Sequence, residues 1–279
     1  MLKNSKRPDM VNAARARRFQ MVMAIGAAVA IFLSPPVSYA ADTPIYGSTA
    51  DTVFDIIKTT DPSTFNCLSY EGRTIRQMWD KRLDNEFDLN VFLFQAHFTD
   101  SPPIDIIVNP EFETVEAAEA EARRYTIPLG QLPLIFRHGI RQFGIHGGMP
   151  TYSAGSGKIF VYADRTTRRI GQNHLEESLL HESVHASLDA TYARSPEWQA
   201  AQAKDGGFVT RYGMDHPQGE DLAETALFAY AFQQHPTRIP PVDNRDIRQA
   251  IPARLALLET ILTIQPQVSP APTPPKSCH

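Results

Sequence analysis

An α+β fold is predicted for this chain by three features of its sequence. Apolar and aromatic runs with strand character fall before residue 163, helical periodicities dominate from residue 174 onward, and no strand–helix–strand alternation runs through both. At 279 residues, 42% hydrophobic and 21% charged, the chain can bury a large core and is not broadly disordered. No internal repeat or long linker interrupts residues 41–264, which are expected to form one domain. That domain lies between a distinctive N-terminal segment, residues 1–40, and a Pro-rich tail, residues 265–279.

The N-terminal segment reads as an address. Residues 1–40 carry six Lys or Arg against one acid, Asp9, and thirteen uncharged residues run from Met21 to Leu33. A helix of that length is roughly 20 Å long, short of the ~30 Å hydrocarbon core of a bilayer. Ser34-Pro35-Pro36 interrupts it, and Ser38-Tyr39-Ala40 offers small residues to a signal peptidase. A secretory signal peptide cleaved after Ala40 is therefore expected, with the mature protein periplasmic or secreted and not stably inserted in a membrane. The whole chain has 27 basic and 31 acidic groups; without the segment's 6 and 1, 21 and 30 remain, a net −9. So acidic a body is not built to bind nucleic acid. In an oxidising compartment Cys67 and Cys278 could join in one long-range disulfide or stay two separate thiols, and neither belongs to a Cys-x-x-Cys pattern.

Within the domain, residues 52–60 place Val53, Ile56 and Ile57 on one side of an expected helix, and residues 74–82 are expected to form another. Residues 91–98 predict a buried strand, and residues 104–108 a second one after the Pro102-Pro103 break. The Ala- and Glu-rich stretch 111–125 predicts a helix that stops before Pro128. Residues 134–137 and 142–146 are expected as short strands in a hairpin around Gly139, residues 147–157 as a flexible loop, and residues 158–163 as a further strand.

The chemistry concentrates in residues 173–189. Asn173 is placed to cap a helix there, with Glu176 as its capping-box partner, and Leu175, Leu179, Leu180, Val184 and Leu188 supply an apolar face. His181 and His185 are four residues apart, about 40° around the helix and one turn along it, so two imidazoles can bind one tetrahedral zinc. Glu182 falls beside them, within reach of a water on that metal. A third ligand is expected from residues 219–230, a second amphipathic helix on which Glu220 and Glu224 share a face. One of the two can ligate while the other accepts the spare N–H of a ligand His. Asp215, His216 and Asp221 are further candidate ligands. Asp189, one turn after His185, is a candidate to support that imidazole, whereas Glu177, one turn before His181, is expected to face solvent. His97, His138, His146, His174 and His235 have no metal-ligand spacing.

His181-Glu182-x-x-His185 with a downstream Glu-x-x-x-acid pair resembles the gluzincin metallopeptidases. The stretch from Thr210-Arg211-Tyr212-Gly213 to Glu220-Asp221-Leu222-Ala223-Glu224-Thr225 is similar to the anthrax lethal-factor-like catalytic domain, and the likeness covers residues 174–232. The resemblance implies a zincin-like fold: a small mixed sheet, an active-site helix bearing both His residues, and a helical part after it. It implies Zn2+ as cofactor, Glu220 as third ligand, Glu224 as the supporting carboxylate and Tyr212 as an aid to catalysis. Tyr212 stands one residue further from the acid than in that family. The metzincin pattern is excluded because Leu188 and Thr191 occupy the places of its Gly and third His, and the aspzincin pattern because residues 207–211 lack Gly-Thr-x-Asp.

The expectation is an exported zinc metallopeptidase acting on protein or peptide. Zinc leaves one position for water, Glu182 takes that water's proton and passes it to the leaving amine, and zinc with the Tyr212 phenol stabilises the oxyanion. Residues 159–162 are the candidate edge strand for holding extended substrate by strand addition, with the 147–157 loop flanking the cleft. Two other readings fit the same residues: a non-catalytic envelope protein in which zinc staples helices, and a zinc amidase acting on a cell-wall component. Glu182 favours a hydrolase, because a purely structural site has no use for that carboxylate.

Overall fold

From Glu71 to Asp80 the chain alternates between more and less exposed positions, the period of two that a strand requires. In the computed structural model, which describes residues 43–269, 271, 273 and 278, this stretch belongs to β1 (Phe65–Asp80). It pairs antiparallel with β2 (Asn85–Phe98) from Phe65↔Phe98 to Asp80↔Asn85. The helix expected at residues 74–82 is thus mostly strand. Ile75, Met78 and Trp79 also satisfy a helical i, i+3, i+4 pattern, and pairing with β2 overrides it, leaving Ile75 60% exposed. The expected signal peptide and its cleavage point lie outside the described residues.

β3 (Ile104–Val108), β4 (Gln142–His146), β5 (Ser153–Gly155) and β6 (Lys158–Tyr162) complete a six-stranded sheet in the order β1-β2-β3-β4-β6-β5. It is mixed: β3, β4 and β6 run parallel, and the outer pairs are antiparallel. The strands expected at 91–98, 104–108, 142–146 and 158–163 all lie in it. The hairpin expected around Gly139 does not form, and residues 134–137 are helical. The expected loop 147–157 contains β5, the antiparallel edge strand of the sheet.

Alternation along the strands gives the sheet two unequal faces. Phe92, Phe94, Ile106, Val108, Phe143, Ile145, Ile159 and Val161 join the main core, together with the helical core residues. Met78, Val91, Leu93, Ile107 and Phe160 make a small second cluster of strand residues only. The helices therefore bury their apolar sides against one face, and the molecule is mixed α+β.

That layer begins with α1 (Val115–Gln131), capped by the Thr114 side chain on Ala117 N–H. It continues through Pro128, where the expected helix stopped, because burial of Tyr125 and Leu129 offsets the one hydrogen bond a proline removes. α2 (Leu134–Arg137) follows, then α3 (Ala163–Gly171), α4 (Leu175–Ser187), α5 (Asp189–Tyr192) and α6 (Pro196–Asp205). α7 (Arg211–Asp215), α8 (Asp221–Gln234), α9 (Pro241–Ala250) and α10 (Pro252–Leu262) complete ten helices among the described residues. None of them is long and apolar enough to cross a membrane. After α2 the chain passes tightly against the end of α4 at Gly139, where a Cβ would stand 2.7 Å from Ser187 Cα.

Residues 52–60 are irregular rather than helical, and the cause is a side chain. Glu177 Oε1 accepts the Ile56 and Ile57 amides at 2.6 and 2.8 Å, so those N–H groups are committed to a carboxylate instead of a helical ladder. Glu177 is 1% exposed, not solvent-facing as expected. At the other end of the chain Cys278 is bonded to Cys67 of β1, with the Cα atoms 5.5 Å apart, which ties the tail back to the sheet.

Candidate metal centre

α4 is buried along most of its length, with Leu175, Leu179, Leu180 and Val184 in the main core. Its N-terminus differs from expectation. His174, not Asn173, is the capping residue, and no side chain caps the helix. Asn173 has φ of +50°, and Glu176 is buried. The His174 ring is turned inward, with Nε2 3.0 Å from Thr49 O. Fixed this way, α4 presents His181, Glu182 and His185 to a cleft of about 750 Å³.

α8 supplies the facing carboxylate. Its start is held by a buried ion pair, Arg254 Nη1 to Asp221 Oδ1 at 2.7 Å, and by Gln202 Nε2 to Asp221 Oδ2 at 2.7 Å. Asp221 is thereby occupied and turned away from metal-binding duty. Glu220, the residue before it, makes no capping bond and points at the imidazoles. His181 Nε2 and His185 Nε2 are 3.2 Å apart, and Glu220 Oε2 lies 3.4 and 3.2 Å from them. Tetrahedral zinc with ligand distances of about 2.0–2.1 Å spaces its ligand atoms about 3.3–3.4 Å apart. The three donors fit that requirement, and among the described residues they are the one such group that could hold a metal ion.

The outer nitrogens of the two rings are treated differently. His185 Nδ1 is 2.7 Å from Asp189 Oδ2, a direct hydrogen bond. His181 Nδ1 is 3.6 Å from Glu224 Oε1, too far for one, with Thr49 Oγ1 at 3.5 Å beside both. Glu224 instead accepts the Thr49 amide at 2.7 Å, Thr49 Oγ1 at 3.1 Å and Ser48 Oγ at 2.9 Å. It pins the 3-10 turn Thr49–Asp51 against the site. Tyr46 docks that segment next to α7, with its N–H on Val209 O and its C=O on Arg211 N–H. Ser48 and Thr49 were not legible as site residues: a Ser-Thr pair carries no signature, and its partners lie more than a hundred residues away.

The charges in the cleft oppose one another. Burial works against a charged His185, yet Asp189 and Glu220 push its value up to about 10, and His181 is raised against burial by Glu220. Glu220 would be raised by burial, but the two imidazoles hold it well below the usual carboxylate range. Glu182 is raised, by burial first and by Glu220 next. Tyr212 lines the cleft, 40% exposed, and burial with the neighbouring Glu220 pushes its phenol up to about 12. Asp215 is exposed at the same cleft, and the His216 ring packs edge-on against Tyr212 with centroids 5.0 Å apart.

No protein-family model, curated protein or solved structure matches this chain.

Proposed function

We propose that this chain is an exported zinc-dependent peptidase with a zincin-like fold. One observation carries the reading: three donors from two helices converge with the spacing tetrahedral zinc requires, in an open cleft, with Glu182 beside them. His181, His185 and Glu220 would hold the metal. Zinc there would supply Lewis acidity, polarising a scissile carbonyl and acidifying water. Glu182 would take the proton as water adds to the carbonyl carbon and return it to the amine as the C–N bond breaks. Tyr212, which stays protonated at neutral pH, donates its O–H to the oxygen on which negative charge develops. Asp189 orients His185, and Glu224 keeps Thr49 against His181.

The strand that receives an extended substrate is not expected at 159–162, because β6 pairs with β4 along its whole length and its other side is taken by β5 over Lys158–Phe160. The free edge belongs to β5, whose Ser153 and Ala154 line the cleft and whose Ser153 Oγ is buried without a partner. The Cys67–Cys278 disulfide supports an oxidising compartment, in keeping with export.

The test is metal analysis beside peptide hydrolysis. The purified protein is expected to hold one zinc, Glu220→Ala to lose it, and Glu182→Gln to keep it while turnover falls by ~10²–10⁴-fold. Full activity in Glu182→Gln, or zinc retained by Glu220→Ala, would overturn the assignment. Zinc retained without hydrolysis of any peptide would leave the structural or amidase readings.

A further inference from the structure

Two arginines at the cleft beside the metal centre make no ion pair with the protein's own carboxylates, among the described residues. Arg165 and Arg169 stand four residues apart on α3, and both line the cleft, as does Lys81 from the turn between β1 and β2. Like charges at that spacing repel and give the helix no support of its own. Among the described residues neither guanidinium is paired with a carboxylate. Arg165 gives Nε to Met149 O at 3.1 Å, and Arg169 gives Nη1 to Ala50 O at 3.0 Å and Gln172 Oε1 at 3.2 Å. The remaining donors of both forks are uncommitted. Arg169 is half-buried, and burial together with Arg165 and Arg168 works against its charge.

The cleft's own acids do not answer these cations. Glu177 is taken by the Ile56 and Ile57 amides, Glu224 by Ser48 and Thr49, and Asp189 and Glu220 by the imidazoles. Asp51 and Asp215 add negative charge at exposed positions, and Asp51 acts on Arg169 only at a distance. Lys81 gives Nζ to Thr151 Oγ1 at 2.6 Å and lines the same cleft as Glu182.

We propose that Arg165 and Arg169, with Lys81 beside them, form a subsite for a substrate carboxylate close to the bond that is cut. Two open guanidinium forks match the planar, two-oxygen geometry of a carboxylate better than any neutral group. The carboxylate comes from an Asp or Glu side chain or from the C-terminus of the substrate. This specificity rests on the peptidase reading above, but its test does not depend on turnover.

The experiment uses the full zinc-loaded chain carrying Glu182→Gln and fluorescently labelled hexapeptides that differ at one position, Glu, Gln or Lys, each made as free acid and as amide. Binding is read by anisotropy. Peptides with the carboxylate are expected to bind ~10- to 100-fold more tightly than their neutral counterparts. Loss of the preference on amidation alone assigns the C-terminus; persistence in the amide assigns the side chain. Adding Arg165→Glu, at a side chain that gives a hydrogen bond only to the Met149 carbonyl, should abolish the preference or turn it toward Lys, while zinc content stays unchanged. Equal binding of all peptides, no binding of any, or a preference that survives Arg165→Glu with Arg169→Gln would overturn the proposal. Carboxylate-selective binding in a protein that hydrolyses nothing would sink the peptidase reading alone; hydrolysis indifferent to charge would sink the subsite alone.

Discussion

In the proposed zinc site, His181, His185 and Glu220 would bind protons as well as metal. Zinc binds neutral imidazole, and in the free site Asp189 and Glu220 push His185 up to about 10 against the cost of burial. At neutral pH that ring is protonated, so loading the site releases a proton, and affinity rises with pH until it passes the raised value. For each proton displaced, zinc affinity should change about tenfold per pH unit. Calorimetry at pH 7 in buffers of different ionisation enthalpy is expected to show proton release; a heat independent of the buffer would contradict the charge arrangement. The spacing of the two His residues was legible because i, i+4 on a helix is local geometry. The roles of the carboxylates were not legible in spacing and came only from the resemblance, which implied Glu220 as ligand and Glu224 as support. Glu220, Asp221 and Glu224 lie within one turn, and their different fates depend on Arg254, the imidazoles and Thr49, which approach from elsewhere in the fold.

At the scale of elements, the segment between the 3-10 turn and β1 shows how one buried acid can set backbone conformation. Glu177→Ala leaves the Ile56 and Ile57 amides without an acceptor in a buried setting, at about 1–3 kcal/mol for each group. The midpoint of urea unfolding should fall accordingly; an unchanged midpoint would mean that the segment is held by its apolar contacts alone. β5 makes a second prediction. A bound, uncleavable peptide should slow hydrogen exchange within residues 153–155 and leave 158–160, already paired on both sides, unchanged. Protection confined to 158–162 would refute strand addition at β5. The strands at 104–108 and 158–162 could be read in advance because the short apolar runs Ile106–Val108 and Ile159–Tyr162 signal burial on both faces. The 74–80 stretch could not, because its apolar residues fit both periods and only β2 resolves them.

At the scale of the whole molecule, Cys67–Cys278 closes a separation of 211 residues. In the chain-entropy model such a ring restrains the unfolded chain by about 5 kcal/mol. The native chain must also bring residue 278 back to β1 after α10 ends at Leu262, and closing that short stretch costs about 3 kcal/mol in the same model. Reduction, or Cys278→Ser, is therefore expected to lower stability by about 2 kcal/mol and to leave zinc content alone, measured by urea unfolding with and without reductant. Loss of zinc on reduction would show that the tail supports the site.

By itself the sequence determined which donor atoms are present, their spacing along one helix, and the apolar runs that become β2, β3, β4 and β6. All of these are set by neighbours a few residues apart. Spacing alone left Glu220 and Glu224 both open as ligands, and the tertiary structure decided that Glu220 stands against the imidazoles and that Thr49, 132 residues earlier, rests beside His181. It also decided that Arg165 and Arg169 share the cleft with Glu182. Those placements follow from burying the apolar sides of distant segments against one sheet, and residue spacing along the chain does not encode that energy.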